Sequence, residues 1–168
     1  MSRAFVKEDD QEEAPFIPPR APLPEGEPNY VTPAGKQALL DEKAILEKDK
    51  SEVKSIEKEQ DRRRNMATIN GQLKLLKERI NSARVLDPTD QPKNEVRFGA
   101  KVKFKMNGRE QSFQIVGVDE ADVKKQKIAF TAPIAKALIG KKKGDSGDFQ
   151  LGKEKRSIEV LEIDYLNS

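Results

Sequence analysis

Three carboxylates, Glu57, Glu59 and Asp61, stand within a five-residue stretch. On a rigid support such a group can help to hold Mg²⁺, but only weakly, because that ion keeps its waters and wants phosphate or further carboxylates from elsewhere. The trio would be half a site. The plainer reading pairs Glu59 with Arg63 at i,i+4 on a solvated helix end. A second candidate is the glycine-spaced stretch Gly140-Lys-Lys-Lys-Gly144-Asp-Ser-Gly147. It lacks the Gly-Lys-Ser/Thr ending that opens a helix in a phosphate-binding loop, and a strand pattern follows it, so it reads as a helix-to-strand connection. Lys101, Lys103, Lys105, Lys124, Lys125, Lys127 and Lys141 to Lys143 make the second half basic, which permits contact with phosphates. No aromatic residues interleave with them, so a base-stacking surface is not expected, and a solvated sheet face is the alternative. The chain has no Cys and no His. That removes Ser-His and Cys-His nucleophiles, the usual zinc sites and any disulfide framework.

The elements that must position these groups are built from 168 residues, 35% apolar and 36% charged. So little core material demands an elongated shape or a partly unfolded chain. No apolar run approaches the roughly eighteen residues of a membrane span, and Met1 to Asp10 is charged, so a cytoplasmic protein without membrane contact is expected. The net charge of +3 hides a gradient, with seven acids against three bases in residues 1–31 and 29 bases against 22 acids beyond. Seven of the ten prolines also lie at or before residue 33, where fixed φ and missing donors oppose helix and sheet. Residues 1–31 are therefore expected to form a disordered acidic arm, its Phe5, Val6, Phe16 and Ile17 serving as a docking motif or merely riding in a solvated tail.

Thr32-Pro33 supplies a hydroxyl N-cap and a proline at the first helical position, and no proline interrupts the chain from there to Leu86. Met66, Ile69, Leu73, Leu76, Ile80 and Ala83 are spaced as a coiled-coil seam, with Leu39, Leu46, Val53 and Ile56 as the earlier counterpart. Residue numbers facing each other across an antiparallel hairpin must have a constant sum. Leu39 with Ala83, Leu46 with Leu76, Val53 with Ile69 and Ile56 with Met66 satisfy this and place the fold-back near residue 61. Glu42 and Asp49 fall on the seam, a mismatch that Leu40 and Ile45 would relieve by a slight rotation. One continuous helix is the rival, since Glu57 to Arg64 holds no Gly or Pro. The finger is assigned to residues 32–87 and a linker to 88–94, after Asp87-Pro88 closes the second helix.

From residue 95 to 168 the period changes to two. Phe98, Ala100, Val102, Phe104 and Met106 alternate with basic residues and run into Asn107-Gly108, the strongest short hairpin signal. A two-residue loop sets Val102 opposite Phe113 and Lys105 opposite Glu110. Strands are expected near Lys127 to Phe130, Asp148 to Leu151 and Arg156 to Tyr165. A short helix should run from Ile134 to Ile139, started after Pro133 and ended by Gly140. The last strand shifts apolar parity between Val160 and Leu161, which suggests a bulge.

This layout resembles the Gre family of bacterial transcript-cleavage factors. The matching blocks are Asn81-Ser-Ala-Arg-Val-Leu-Asp87, Phe98-Gly-Ala-Lys-Val, Ile115-Val-Gly-Val-Asp-Glu-Ala-Asp122, Ala132-Pro-Ile-Ala-Lys-Ala-Leu-Ile-Gly-Lys141 and Ile158-Glu-Val-Leu-Glu-Ile-Asp-Tyr-Leu166. The resemblance implies an α+β protein, an N-terminal antiparallel coiled-coil hairpin followed by an FKBP-like antiparallel β-sheet domain with one short helix. It implies a transcription elongation regulator that is no enzyme by itself. The finger would enter the secondary channel of RNA polymerase, near nascent RNA, and Thr131, Ala132, Pro133 and Ile134 would bear on the channel rim. In that setting Glu57, Glu59 and Asp61 would help hold a Mg²⁺ of the polymerase while it cuts backtracked RNA. The family's tip string Asp-x-x-Glu-Asn-x-Glu-Tyr does not occur here, and the finger is shorter than the family's register by more than a heptad per arm. The alternative within this class is a non-cleaving occupant of the channel. Outside it stand an RNA-binding module using the lysine-rich sheet and a chaperone-like module. Peptidyl-prolyl isomerisation is not expected of a chain with no Trp and two Tyr. No cofactor of its own and no small-molecule substrate are expected.

Overall fold

The computed structural model describes residues 14–165; Phe5, Val6 and Leu166 lie outside them. The order is β1 (Asn29–Val31), α1 (Pro33–Val53), α2 (Glu59–Ser82), β2 (Ala83–Val85), a 3-10 turn (Pro88–Asp90), β3 (Ala100–Met106), β4 (Arg109–Val116), a second 3-10 turn (Val123–Lys125), β5 (Lys127–Ala129), α3 (Pro133–Leu138), β6 (Ser146–Leu151) and β7 (Glu154–Tyr165). The class is α+β, as expected.

α1 starts where the residues demand. The Thr32 hydroxyl accepts the Gly35 N–H at 3.0 Å and Pro33 takes the first turn. The chain then folds back on itself, which rules out the single long helix. Leu39 and Leu76 bury with Val31 in one cluster, and Val53, Ile69 and Leu73 form another. The turn, however, lies at residues 54–58 rather than near 61. It is made without Gly or Pro. The Ser55 hydroxyl donates to the Glu52 carbonyl at 2.7 Å, Arg62 Nη1 donates to the Ile56 carbonyl at 3.1 Å, and Ile56 tucks against the Val53 cluster. Leu40 and Ile45 are exposed and relieve nothing at the seam; Glu42 instead takes an ion pair.

α2 ends at Ser82, four residues before the expected stop. Strand pairing overrides helical periodicity there: Ala83–Val85 pairs in parallel with Asn29–Val31, and the Leu86 N–H donates to the Val31 carbonyl at 2.9 Å. The buried Asn29 amide donates to the Arg79 carbonyl at 3.0 Å, satisfying one of the helix's last acceptors. The proline-rich segment is correspondingly not a loose arm over its described part. Ile17 lies against Gly71, Leu23 packs on the core of the sheet domain, and Tyr30 meets Phe98 and Phe130 at ring-centroid distances of 5.9 and 5.5 Å. The disorder expected to residue 31 thus fails for 14–31, because Ile17, Leu23 and Tyr30 find packing partners, while Phe16 is exposed.

The second domain is a five-stranded sheet in the order β5-β4-β3-β7-β6. Asn107 and Gly108 take φ of 49° and 81°, and the register of β3 on β4 sets Val102 opposite Phe113 and Lys105 opposite Glu110. The bulge is present: Lys103 pairs with Glu162 and Phe104 with Val160, so Leu161 is skipped. The sheet is mixed rather than wholly antiparallel, because β5 returns alongside β4 in parallel after the Val123–Lys125 turn. Val102, Phe104, Ile115 and Val160 bury one face, against which Ala135 and Leu138 hold α3. Tyr165 closes the domain: its hydroxyl accepts the Arg97 N–H at 2.9 Å and donates to the Glu95 carbonyl.

Candidate functional site

The finger tip is the first candidate. Glu57 sits in the turn and Glu59 opens α2, both exposed, whereas Asp61 is half-buried in the first turn. Lys58, the N-cap, offers no capping oxygen, so Glu59 and Asp61 are the negative charges next to the positive end of α2. Lys54, Lys58 and Arg62 alternate with them. Among the described residues no group of three or more acids converges to hold a metal ion, the tip trio included.

The second candidate is the segment before α3. Ala132 is the N-cap without a side-chain hydrogen bond, and its own N–H donates to the Ala129 carbonyl at 2.9 Å. Pro133 is exposed at the first helical position, Thr131 and Ile134 are half-buried, and Ile134 packs against the core. The four residues form a continuous ledge with Pro133 at its crest. Lys136, one turn on, pairs with Glu27 at 3.5 Å.

The lysine-rich sheet face is not a free basic surface. Lys101, Lys103 and Lys105 stand opposite Asp164, Glu162 and Glu159 of β7, and Lys103 also reaches Glu110 of β4 at 3.6 Å. A neighbouring acidic row neutralises this ladder, which weakens the case for an RNA-binding sheet.

Sequence reasoning missed a third locus, where finger, proline-rich segment and sheet domain meet. The Glu120 carboxylate accepts the N–H groups of Thr32 and Gly117, each at 3.0 Å, and the Thr32 hydroxyl. It fills the space that a side chain at Gly35 would need. Beside it Asp119, whose side chain is 5% exposed, accepts from Arg20 Nε and Arg79 Nη1, both at 3.1 Å. The other two guanidinium nitrogens of Arg20 straddle the Glu42 carboxylate at 2.7 and 3.1 Å, and Arg79 Nη2 donates to the Ala21 carbonyl. The hydrogen bond to Glu42 raises the Arg20 pKa above its ordinary value; burial opposes this, and the charge of Asp119 supports it. The available signals were Gly35 and Gly71. Glycine inside a helix costs about 1 kcal/mol relative to alanine and so marks a close approach.

Fold and sites together define a helical-hairpin finger carried on a small α+β domain, with Pro133 exposed on the ledge before its helix. A family model described as "Transcription elongation factor, GreA/GreB, C-term" matches residues 91–165. Transcription elongation factor GreB of Neisseria meningitidis is 34% identical over 154 residues, spanning 82% of this chain and 94% of the relative. GreA of Acidiphilium cryptum is 39% identical over 105 residues, 61% of this chain and 67% of that one. Among solved structures, Gfh1 of Thermus thermophilus aligns over 82% of this chain and 99% of its own length, with 21% identity and a TM-score of 0.36. The GreA/GreB factor from Nitrosomonas europaea aligns over 81% and 98%, with 19% identity and a TM-score of 0.39. The chain belongs to the Gre family of transcription elongation factors.

Proposed function

We propose that this chain is a cytoplasmic elongation regulator that binds bacterial RNA polymerase, with its finger in the secondary channel and the ledge Thr131, Ala132, Pro133 and Ile134 on the channel rim. The observation that carries the reading is the finger itself, in a chain of this family: a rod closed on its own seam, rooted at Thr32 and Arg79, with its charged turn exposed at the far end. It acts on the polymerase and supplies no catalytic group of its own. Core polymerase should retain the chain in a pull-down, and Pro133→Ala with Ile134→Ala should weaken retention several-fold; no association with the unaltered chain would refute the reading.

Within it, the tip favours a channel occupant that does not promote cleavage. Its three acids do not converge and basic residues separate them, so that nascent RNA there would meet Lys54 and Lys58 as well as carboxylates. The second reading, that Glu57, Glu59 and Asp61 support a polymerase-held Mg²⁺, predicts shortening of labelled RNA in stalled complexes that a triple alanine variant abolishes. No shortening with the unaltered chain supports the occupant.

A further inference from the structure

The apolar clusters of the finger share no residue with the core of the sheet domain. At the roots Tyr30 and Leu86 pack on the sheet-domain core, and beyond them polar contacts brace the rod. One set fastens the root directly, Glu120 to Thr32, and a second converges on the proline-rich segment. Arg20 uses all three guanidinium nitrogens, two on Glu42 of α1 and one on Asp119 of the sheet domain, so that one planar group spans both bodies. Arg79 of α2 reaches the same Asp119 and the Ala21 carbonyl. On either side, Ile17 fills the notch over Gly71 and Glu27 pairs with Lys136 of α3. A guanidinium fork suits such a joint, since its donors diverge in one plane and an ammonium cannot serve three acceptors in that geometry.

We infer that residues 17–27 are a built-in clasp that sets the finger's angle on the sheet domain, with Arg20 and Asp119 as its positioning residues. With the clasp open, the finger pivots about its root, which Glu120 still holds at Thr32. Nothing in this depends on which partner the finger enters, and the test uses the isolated full chain.

The chain has no Cys, so paired labels can be placed at will. Spin labels at Lys54→Cys and Ser157→Cys, both exposed positions, report tip against domain; labels at Ala44→Cys and Lys74→Cys report the finger alone. The unaltered chain should give one narrow tip-to-domain distance. Arg20→Ala and, separately, Asp119→Asn should widen that distribution roughly twofold or more while the pair within the finger stays narrow. Arg20→Lys should fall between. An unchanged tip-to-domain distribution in Arg20→Ala and Asp119→Asn would overturn the inference. So would equal broadening of the pair within the finger, which would mean that these residues maintain the finger's fold rather than its angle.

Discussion

Glu120 accepts from the backbone and hydroxyl of Thr32 while Thr32 caps α1, so one threonine both starts the finger and fastens it. Thr32→Ala should lower stability by about 1–2 kcal/mol, as loss of an N-cap does, and Thr32→Ser should restore most of it; urea denaturation followed by helical circular dichroism reads both. Tyr165 gives a pH-dependent counterpart. Desolvation raises its pKa above the ordinary phenol value, outweighing the stabilising Arg97 N–H. Its neutral form is thus preferred in the folded chain, and its contribution is complete below about pH 10 and lost as pH rises through the folded value. Tyr165→Phe should be less stable by about 1 kcal/mol at pH 8, and the gap should close as denaturation is repeated toward pH 11.

At the scale of elements, local signals survived and long-range ones did not. The β3–β4 turn was legible because Asn107-Gly108 adopts positive φ in place, and the bulge because a parity shift at Leu161 can be seen within one strand. The position of the fold-back was not, since a seam repeating every seven residues looks alike when one helix slides by a heptad; Leu39 buries with Leu76, one heptad from its expected partner Ala83. The parallel β1–β2 pair was hidden for a related reason, because three-residue strands more than fifty positions apart carry no local pattern. Of the candidate sites, the tip acids and the Pro133 ledge were readable as residues, but the Arg20–Asp119 joint, which needs four segments brought together, was not. The seam makes its own demand. Leu76→Ala should cost about 2–5 kcal/mol, whereas Ile45→Ala on the exposed face should change stability by less than about 0.5 kcal/mol, both measured by chemical denaturation of the finger's helical signal.

For the whole molecule, the rod and the sheet domain are each internally packed, and polar groups join them alongside the contacts that Tyr30 and Leu86 make at the roots. The joint draws on the acidic, proline-rich end of the chain, which explains why that end holds the lone Arg20 among its prolines. The rod leaves from β1 and returns into β2, and these two strands lie side by side in register, Asn29 on Ala83 and Val31 on Val85. Its two roots are thereby clamped at a constant spacing whatever lies beyond them. Whole heptads could be spliced into or out of both arms together without disturbing the platform beneath, so reach becomes an interchangeable dimension of the scaffold, tuned separately from the surface that docks it.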